Sequence, residues 1–181
     1  LPDQVSVMVA GGGASGFMTA IVAAEAGAAD VHLLEATPEP LQKVRISGGG
    51  RCNVTHACWD PRSLVGHYPR GSKALRGPFS RFATGDAVAW FADHGLELVE
   101  EDDGRLFPRS NSSESVVASL RQAARRAGVQ LHTATALQHV EPAGSGFVCR
   151  LRQGGSLRSV HCRQLVLATG AHPSGRQCTL R

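Results

Sequence analysis

Residues Val9 to Gly16 read VAGGGASG, and this glycine-rich stretch decides the fold class. Before it, Val5 to Ala10 is a short and mostly apolar run that stops at a glycine, which predicts an interior β-strand. A helical pattern resumes at Phe17, where alanine and larger apolar residues recur at helical spacing. The stretch is therefore predicted to be the turn between a buried strand and a helix.

The six residues of this turn match the GxGxxG spacing of dinucleotide-binding turns. They are Gly11, Gly12, Gly13, Ala14, Ser15 and Gly16. In this pattern Gly11 permits a tight turn, Gly13 lets phosphates approach, and Gly16 lets the helix pack on the strand. The unpaired amides and the positive end of the helix dipole favour an anion there. A glycine-rich turn with a purely steric role is the alternative.

A carboxylate follows at the distance that such a fold requires. The predicted helix, Phe17 to Ala26, ends at Gly27, and a second predicted strand follows at Val31 to Leu34. Glu35 then stands nineteen residues after Gly16. An acid at this place accepts hydrogen bonds from ribose hydroxyls and favours a free 2′-hydroxyl over a 2′-phosphate. A solvated residue at a strand end is the alternative for Glu35.

Composition predicts one globular domain over residues 1–181. Of these residues 42% are hydrophobic and 19% are charged, as in ordinary folded domains. No stretch is apolar enough to span a bilayer, and no signal peptide is evident. The five cysteines form an odd set without a CxxC pair, which argues against a disulfide framework and a structural zinc site. A cytoplasmic location is therefore predicted.

The charge pattern bears on partners. Lys and Arg number 19 against 15 Asp and Glu, so the formal net charge is +4. The arginines are scattered from Arg45 to Arg181 without a dense tract or interleaved aromatic residues, so neither a nucleic-acid nor a membrane partner is expected. The eight histidines fall in strand patterns or loops without forming a ligand set, so no metal site is predicted.

A second glycine-rich segment, Ile46 to Asn53, reads ISGGGRCN. Its three successive glycines let main-chain amides approach a planar ring or a phosphate closely. Arg51 offers a fixed cationic fork to an anionic oxygen, and Asn53 donates or accepts beside it. The alternative is a flexible loop with Arg51 in a surface ion pair. Cys52 lacks a resolving cysteine at CxxC spacing, which favours a packed thiol over redox chemistry.

The middle of the chain predicts helices and a strand rather than catalytic or binding residues. An amphipathic segment begins with Ala87 to Phe91 and is closed by Gly95, and Glu97 to Glu100 alternates like an edge strand. A helix over Ser113 to Ala127 is predicted to be opened by a capping pair, Asn111 with Glu114. Its arginines, Arg121, Arg125 and Arg126, are predicted to face solvent.

The last third predicts strands separated by glycine turns. Strand-like pieces occur at Val129 to Thr133, Phe147 to Arg152 and Ser159 to Cys162, and together they predict a β-meander. They lead to LVLATG at residues 165–170, which is typical of a buried strand that ends in small residues. Such an ending lets backbone pass close to a bound dinucleotide.

Four landmarks carry a family resemblance: VAGGGASG at 9–16, LLE at 33–35, KVRISGGGRCNVT at 43–55 and LVLATG at 165–170. A fifth is GRLFP at 104–108, which follows the acidic turn at 100–103. The chain resembles the BaiN/YhiN-like NAD(P)/FAD-dependent oxidoreductases, also described as aminoacetone-oxidase-type FAD-binding flavoproteins. The resemblance implies an α/β fold, a Rossmann-like FAD-binding domain of the two-dinucleotide-binding-domain flavoprotein type with a β-meander.

The resemblance also implies FAD as the cofactor and assigns residues to it. Gly11 to Gly16 would contact the pyrophosphate and Glu35 the AMP ribose. Leu137, at the end of a strand, matches an adenine-contacting position, with ordinary core packing as the alternative. The remaining implied FAD contacts are Lys43, Ser47, Gly48, Gly49, Gly50, Arg51, Cys52, Asn53, Ala168, Thr169 and Gly170.

The implied function is an FAD-dependent oxidoreductase in which hydride moves between a small-molecule substrate or NAD(P)H and the flavin. Residue 1 is Leu and the chain stops at Arg181, whereas the family is considerably longer. The sequence is therefore expected to be a truncated, amino-terminal part that lacks the substrate domain and the carboxy-terminal flavin-binding part. No catalytic residue is assigned, and Arg51 is the candidate for flavin electrostatics. The alternatives are a non-catalytic dinucleotide-binding fragment and an RNA-modifying flavoprotein.

Overall fold

A computed structural model describes residues 1–170. These residues fall into two compact units, one made of Leu1–Lys43 with the chain from Leu120 onward, and one made of Val44–Ser119. The predicted single domain over residues 1–181 stays a prediction, and each unit is described by itself. In chain order the helices and strands are β1 (Gln4–Ala10), α1 (Ala14–Glu25), β2 (Val31–Leu34), α2 (Gln42–Ile46), β3 (Thr55–His56), α3 (Pro61–Gly66), α4 (Ser72–Phe79), α5 (Thr84–Asp93), β4 (Leu98–Glu100), β5 (Arg105–Pro108), α6 (Ser113–Arg126), β6 (Gln130–His132), β7 (Thr135–Ala143), β8 (Gly146–Gln153) and β9 (Ser156–Leu167).

The first unit is built on a six-stranded sheet in the order β6-β2-β1-β9-β8-β7. Four of these strands, β6, β2, β1 and β9, run parallel, with Val9 paired to Leu33 on one side and to Val166 on the other. The predicted strands at residues 5–10 and 31–34 are confirmed. This order and direction are those of a Rossmann-type sheet, so the predicted α/β fold class is confirmed.

Helix α1 begins at Ala14, three residues before the predicted start at Phe17. The difference arises because the second half of the glycine motif is already helical, and Phe17 N donates to Gly13 O at 3.0 Å. The helix buries Phe17, Ala20 and Ile21 within its unit. Each of the two larger side chains contributes about 1.5–3 kcal/mol on burial, which fixes the helix and therefore its amino terminus.

The other half of the sheet is an antiparallel meander of β7, β8 and β9. The predicted meander is present, and the predicted strand at 129–133 is confirmed as β6, but β6 is not part of the meander because it pairs in parallel with β2. Strand β7, which replaces it, was not predicted. Leu137 is the third residue of β7 rather than the last of a strand.

Strand β9 unites two segments that the sequence pattern treated as separate. Its first half pairs antiparallel with β8, and its second half pairs in parallel with β1. The twelve-residue strand therefore includes both the predicted piece at 159–162 and the start of LVLATG. The predicted burial of that motif is wrong, because Leu165 and Val166 are half-buried and Leu167 is 42% exposed.

The second unit contains a three-stranded antiparallel sheet in the order β3-β5-β4. Strand β4 lies at the edge, as predicted, and α5 contains the predicted segment at 87–91, which Gly95 closes with φ +76°. The predicted capping pair of α6 is wrong. Glu114 N donates to Ser112 Oγ at 3.3 Å, whereas Asn111 Oδ1 accepts from Arg51 Nη1 at 3.4 Å.

The arginines of α6 face solvent, as predicted. Arg121, Arg125 and Arg126 are all exposed. Within residues 1–170, no helix has the length and apolar character needed to cross a bilayer. The cytoplasmic location stays a prediction.

Candidate functional site: two glycine-rich loops

The first loop, which we call the glycine turn (residues 11–16), is shaped by close packing against its own unit. Gly11 has φ +116°, and its N–H donates to Leu34 O at 2.8 Å. A side chain at Gly11 would overlap Ala168 O, and one at Gly16 would overlap Gly11 O. The predicted roles of Gly11 in the turn and Gly16 in close packing therefore have a direct steric basis.

Glu35 is held against the glycine turn. Its Oε2 accepts from Gly12 N at 3.0 Å, and its Oε1 accepts from Thr37 N and Thr37 Oγ1, both at 2.8 Å. A β-carbon on Gly12 would come within 2.8 Å of the Glu35 side chain. The carboxylate is thus an oriented group and not a loose strand end. Each carboxylate oxygen accepts more than one hydrogen bond, so Oε2 keeps capacity for a ribose hydroxyl.

The amino terminus of α1 presents its amides outward. No side chain caps this helix in the described part of the chain, and Ala14 and Ser15 are exposed. A β-carbon on Gly13 would have no neighbour within 4 Å, so open space faces this residue. First-turn amides and the helix dipole together favour an anion at such a place. The glycine turn therefore fits the pyrophosphate that the sequence pattern predicts.

The residues that follow β9 lie beside the glycine turn, and Lys43 lies close to the last of them. Ala168 N donates to Ala10 O at 2.8 Å, and Ala168 O contacts Gly11. Gly170 has φ +72°, and a β-carbon there would lie 3.6 Å from Lys43 Nζ. The structure thus brings the predicted residues Ala168, Thr169, Gly170 and Lys43 to one end of the sheet, together with Glu35.

Leu137 is placed differently. It is partly buried and packs against the core cluster that contains Val5, Met8 and Leu34. The pairing of β7 with β8 shifts register directly after it, between Leu137 and His139. Both interpretations of Leu137, an adenine contact and a core residue, stay open.

The second loop, which we call the GGGRCN loop (residues 47–53), lies in the second unit. A 3₁₀ turn covers Ser47–Gly50, and Gly48, Gly49 and Gly50 all have positive φ, between +55° and +86°. A β-carbon on Gly48 would lie 2.7 Å from Asn53 N and 3.0 Å from the Phe107 ring. A β-carbon on Gly49 would meet nothing within 4 Å. One face of the loop is therefore packed, and the other has room for a planar group.

Arg51 is already engaged by an acid. Its Nη1 donates to Glu101 Oε1 at 2.6 Å, and its guanidinium lies over the Phe107 ring, 3.9 Å from the centroid. The side chain remains 31% exposed. The ion pair that the alternative interpretation anticipates is thus present. The contact of Arg51 with a flavin stays a prediction, and the charge it would offer is balanced by Glu101.

The other side chains of the loop hold its shape. Ser47 Oγ donates to Val44 O at 2.8 Å, and Cys52 N donates to Ser47 O at 3.0 Å. Cys52 is buried, and burial raises the pKa of its thiol. A buried neutral thiol matches the packed role that the sequence favours. The Asn53 amide nitrogen faces Thr55 O at 2.8 Å and Leu106 O at 3.3 Å.

The GRLFP motif packs on the GGGRCN loop. Val54 N donates to Leu106 O at 2.9 Å, and Phe107 contacts both Gly48 and Arg51. A side chain at Gly104 would approach the His56 ring within 2.7 Å. Glu101 and Phe107 were not predicted as partners of the loop. The acidic turn and the GRLFP motif marked their region, but only the β3-β5 pairing brings them to residues 48–51.

A histidine pair, buried His32 and half-buried His132, lies next to the backbone of Glu35. His32 Nδ1 and His132 Nε2 are 2.9 Å apart, and His32 Nε2 lies 2.6 Å from Asp30 Oδ1. Burial and the neighbouring His32 lower the pKa of His132 to about 4. His132 O accepts from Glu35 N at 2.8 Å, so the pair is joined to the predicted ribose-binding residue through the backbone. Residues 1–170 contain no cluster of His, Cys, Asp and Glu suited to a metal ion.

Curated relatives of the chain are much longer than it is. A 3-dehydro-bile acid delta(4,6)-reductase of Clostridium scindens is 33% identical over 143 residues, which cover 78% of this chain and 34% of that protein. A ribosomal RNA dihydrouridine synthase of Escherichia coli is 27% identical over 168 residues, which cover 93% of this chain and 40% of that protein. The chain thus spans about a third to two fifths of their length.

Solved structures share the fold. A 3-ketosteroid-delta4-(5alpha)-dehydrogenase from Rhodococcus jostii, in complex with 4-androstene-3,17-dione, matches with a TM-score of 0.69 at 20% identity, covering 93% of this chain and 46% of that one. THI4 of Thermovibrio ammonificans matches with a TM-score of 0.62 at 12% identity, covering 98% and 64%. The family model described as the HI0933-like protein Rossmann domain matches residues 5–176. The chain belongs to the HI0933-like family, which confirms the resemblance read from its glycine-rich motifs.

Proposed function

We propose that this chain is the FAD-binding part of a flavoprotein oxidoreductase, in which hydride moves between NAD(P)H or a small-molecule substrate and the flavin. The observation that supports it best is the pairing of an open glycine turn with an oriented carboxylate. Gly13 faces open space, and Glu35 is held by Gly12 N at 3.0 Å. The family and the shared fold of the flavoenzyme relatives support the same proposal.

In this proposal the first unit holds the dinucleotide end of FAD. The amides of residues 13–16 contact the pyrophosphate, and Glu35 accepts from the ribose hydroxyls. Lys43 lies near Gly170 and adds a positive charge for the phosphates. Ala168, Thr169 and Gly170 let the backbone pass close to the cofactor, and Leu137 contacts the adenine.

The GGGRCN loop is proposed to contact the flavin. FAD supplies the hydride chemistry when it is bound, and the protein orients it. The main-chain amides of Gly49 and Gly50 offer donors on the open face of the loop, whereas Ser47, Cys52 and Asn53 maintain its shape. Arg51 contributes a positive field that Glu101 reduces. Residues 1–181 then form one FAD-binding domain of a longer cytoplasmic enzyme, whose remaining residues bind substrate.

The curated relatives do not point to one substrate, because a bile acid and ribosomal RNA differ in kind. We therefore propose no substrate from them. The non-catalytic alternative predicts a chain that binds FAD without being reduced by NAD(P)H. The RNA-modifying alternative predicts that the longer protein acts on RNA with the same cofactor.

The first experiment is to purify residues 1–181 without added cofactor, record the visible spectrum and identify any released ligand by chromatography. We expect FAD, and we expect Glu35→Gln to weaken FAD binding because one acceptor charge is lost. NADH and NADPH are then added anaerobically: bleaching of bound flavin supports reduction by NAD(P)H, and an unchanged spectrum favours the non-catalytic alternative. A folded, colourless chain that ignores added FAD contradicts the proposal.

A further inference from the structure

The excess positive charge of this chain is concentrated in one segment. Between Trp59 and Phe82 there are five cations, Arg62, Arg70, Lys73, Arg76 and Arg81, and a single acid, Asp60. The segment therefore carries a net charge of +4, which equals that of the whole chain, and the remaining residues balance. The arginines are scattered along the chain, but counting the acids as well shows that the net positive charge lies in this segment.

The five cations of this segment, which we call the basic hairpin (residues 59–82), are exposed and outnumber its one acid. All five side chains are exposed, and among residues 1–170 none of them forms an ion pair. The carboxylate of Asp60 caps α3, accepting from Arg62 N at 3.2 Å and from Ser63 N at 3.0 Å, and its charge acts on one of the five cations, Arg62. By contrast, Arg45, Arg51 and Arg109 elsewhere in the same unit all pair with glutamates at 2.6–2.7 Å.

Exposed aromatic side chains occur among these cations in the hairpin. Trp59 is 54% exposed, Tyr68 is 41% exposed and Phe82 is 43% exposed. Tyr68 packs on Phe79 at a ring-centroid distance of 5.4 Å, which fixes one of the rings. These exposed rings stand at the two ends and near the middle of a cationic segment.

A cavity of about 620 Å³ lies between α3 and α4 within the hairpin. Arg62 and Arg76 line it from the two helices, Pro61 and Val65 supply apolar surface, and Asp60 and Ser80 complete the lining. Two guanidinium groups at an apolar cavity suit a ligand that joins an anionic group to a planar, less polar body. A nucleotide has this combination of a phosphate and a base.

We propose that the basic hairpin is a binding surface for single-stranded nucleic acid, with Arg62 and Arg76 on backbone phosphates and Trp59 and Phe82 stacking on bases. A segment that combines exposed cations with exposed rings offers partners to both the phosphates and the bases of such a strand. An anionic membrane would instead favour one continuous apolar face beneath the cations. The inference goes beyond the proposed flavin chemistry and does not rest on it, because binding is measured without turnover.

The test is fluorescence anisotropy of a labelled oligouridylate RNA titrated with the unmodified chain at several salt concentrations. We expect affinity to fall steeply between about 50 and 200 mM salt, since the counterions that surround the RNA are released when the protein binds. Arg62→Gln with Arg76→Gln removes two phosphate contacts, so the slope of log affinity against log salt should lessen by about 1.4. Arg125→Gln with Arg126→Gln is the matched control, which changes the net charge equally on exposed α6 positions.

A second pair of variants tests stacking. Trp59→Leu with Phe82→Leu keeps apolar bulk and removes the ring faces, and we expect affinity for the RNA to fall about fivefold or more. Equal weakening by the hairpin and α6 charge variants would overturn the proposal, because it would show nonspecific attraction. Unchanged affinity of the leucine variant would also overturn it, because it would indicate a surface for any polyanion. Tighter binding to phosphatidylserine vesicles than to RNA would overturn it as well, because it would indicate a membrane surface.

Discussion

The two glycine-rich loops achieve their shapes in different ways. In the glycine turn, Gly11 is crowded by the backbone of Ala168 and Gly16 by the carbonyl of Gly11, so neither has room for a β-carbon, while Gly13 faces open space. In the GGGRCN loop, all three glycines have positive φ, and only Gly48 is also crowded. The first loop is therefore fixed mainly by packing, and the second mainly by backbone conformation. Substitutions that add one methyl group separate these two causes.

The largest effect is expected at Gly16. A methyl group there overlaps Gly11 O at the junction of β1 and α1, so we expect Gly16→Ala to lower the free energy of unfolding by about 3 kcal/mol or more. Urea denaturation measures this change. Gly13→Ala is the matched control: its stability should be near that of the parent, whereas its FAD affinity should fall. Equal loss of stability in both variants would show that the turn is not fixed by packing.

In the GGGRCN loop, Gly48→Ala should cost more than Gly49→Ala. Both substitutions place a β-carbon in the left-handed region, which costs about 1–2 kcal/mol, but only Gly48 also approaches Asn53 N and Phe107. We expect unfolding free energies that differ between the two variants by roughly 1 kcal/mol. Thermal or urea unfolding tests this order, and a larger cost at Gly49 would contradict the crowding described for Gly48.

The pH dependence of stability tests the surroundings of the glycine turn, because His132 is joined to Glu35 through the backbone. The folded pKa of His132, about 4, lies below its ordinary value of 6.5, so the unfolded chain binds the proton first as the pH falls. Stability from neutral His132 is therefore complete above pH 6.5 and is lost as the pH falls towards 4. The loss is at most about 1.4 kcal/mol per pH unit, and less because the ring is only partly buried.

Replacing His132 tests that assignment. His132→Gln keeps a polar partner for His32 and removes the titration, so the slope of unfolding free energy against pH between about 6.5 and 4 should decrease. The control is His139→Gln, which changes an exposed histidine of β7 in the same unit. An unchanged slope in His132→Gln, or the same decrease in His139→Gln, would assign the pH dependence to other groups.

The smallest effect is expected for the ion pair of the GGGRCN loop. Both partners are about one third exposed, so the coupling between Arg51 and Glu101 should be below about 1 kcal/mol. A double-mutant cycle with Arg51→Gln and Glu101→Gln measures it. If FAD binds beside Arg51, Glu101→Gln should strengthen FAD binding because the positive field is no longer balanced. Weaker FAD binding in that variant would argue against the electrostatic role.

The local parts of this architecture were predictable from the sequence, and the distant pairings were not. The strand at 31–34, the glycine turn and Glu35 follow from adjacent residues, and the structure places them together. The start of α1 differed because Ala14 and Ser15 are helical within the glycine motif. Such residues give no separate signal, since the pattern of apolar residues begins only at Phe17.

Pairing between distant segments explains the remaining differences. Residues 129–133 have the strand composition of the meander, but β6 pairs with β2, which lies far away in sequence. The partner of Arg51 was also not evident, because the acidic turn at 100–103 offers several carboxylates and the distant pairing of β3 with β5 brings Glu101 to Arg51. Periodicity indicates that a segment is a strand, but it does not indicate which strand is its neighbour.

Strand β9 has a consequence for how the protein is made. The glycine turn emerges first from the ribosome, yet Ala10 and Gly11 find their partner, Ala168, only near the end of the described chain. Closing so long a loop is slow, and domains form as their segments are synthesised. Until β9 appears, one edge of β1 is left without its neighbour, and the wall that crowds Gly11 does not exist. The dinucleotide end of the candidate site therefore becomes complete only after β9 and Ala168 have been translated.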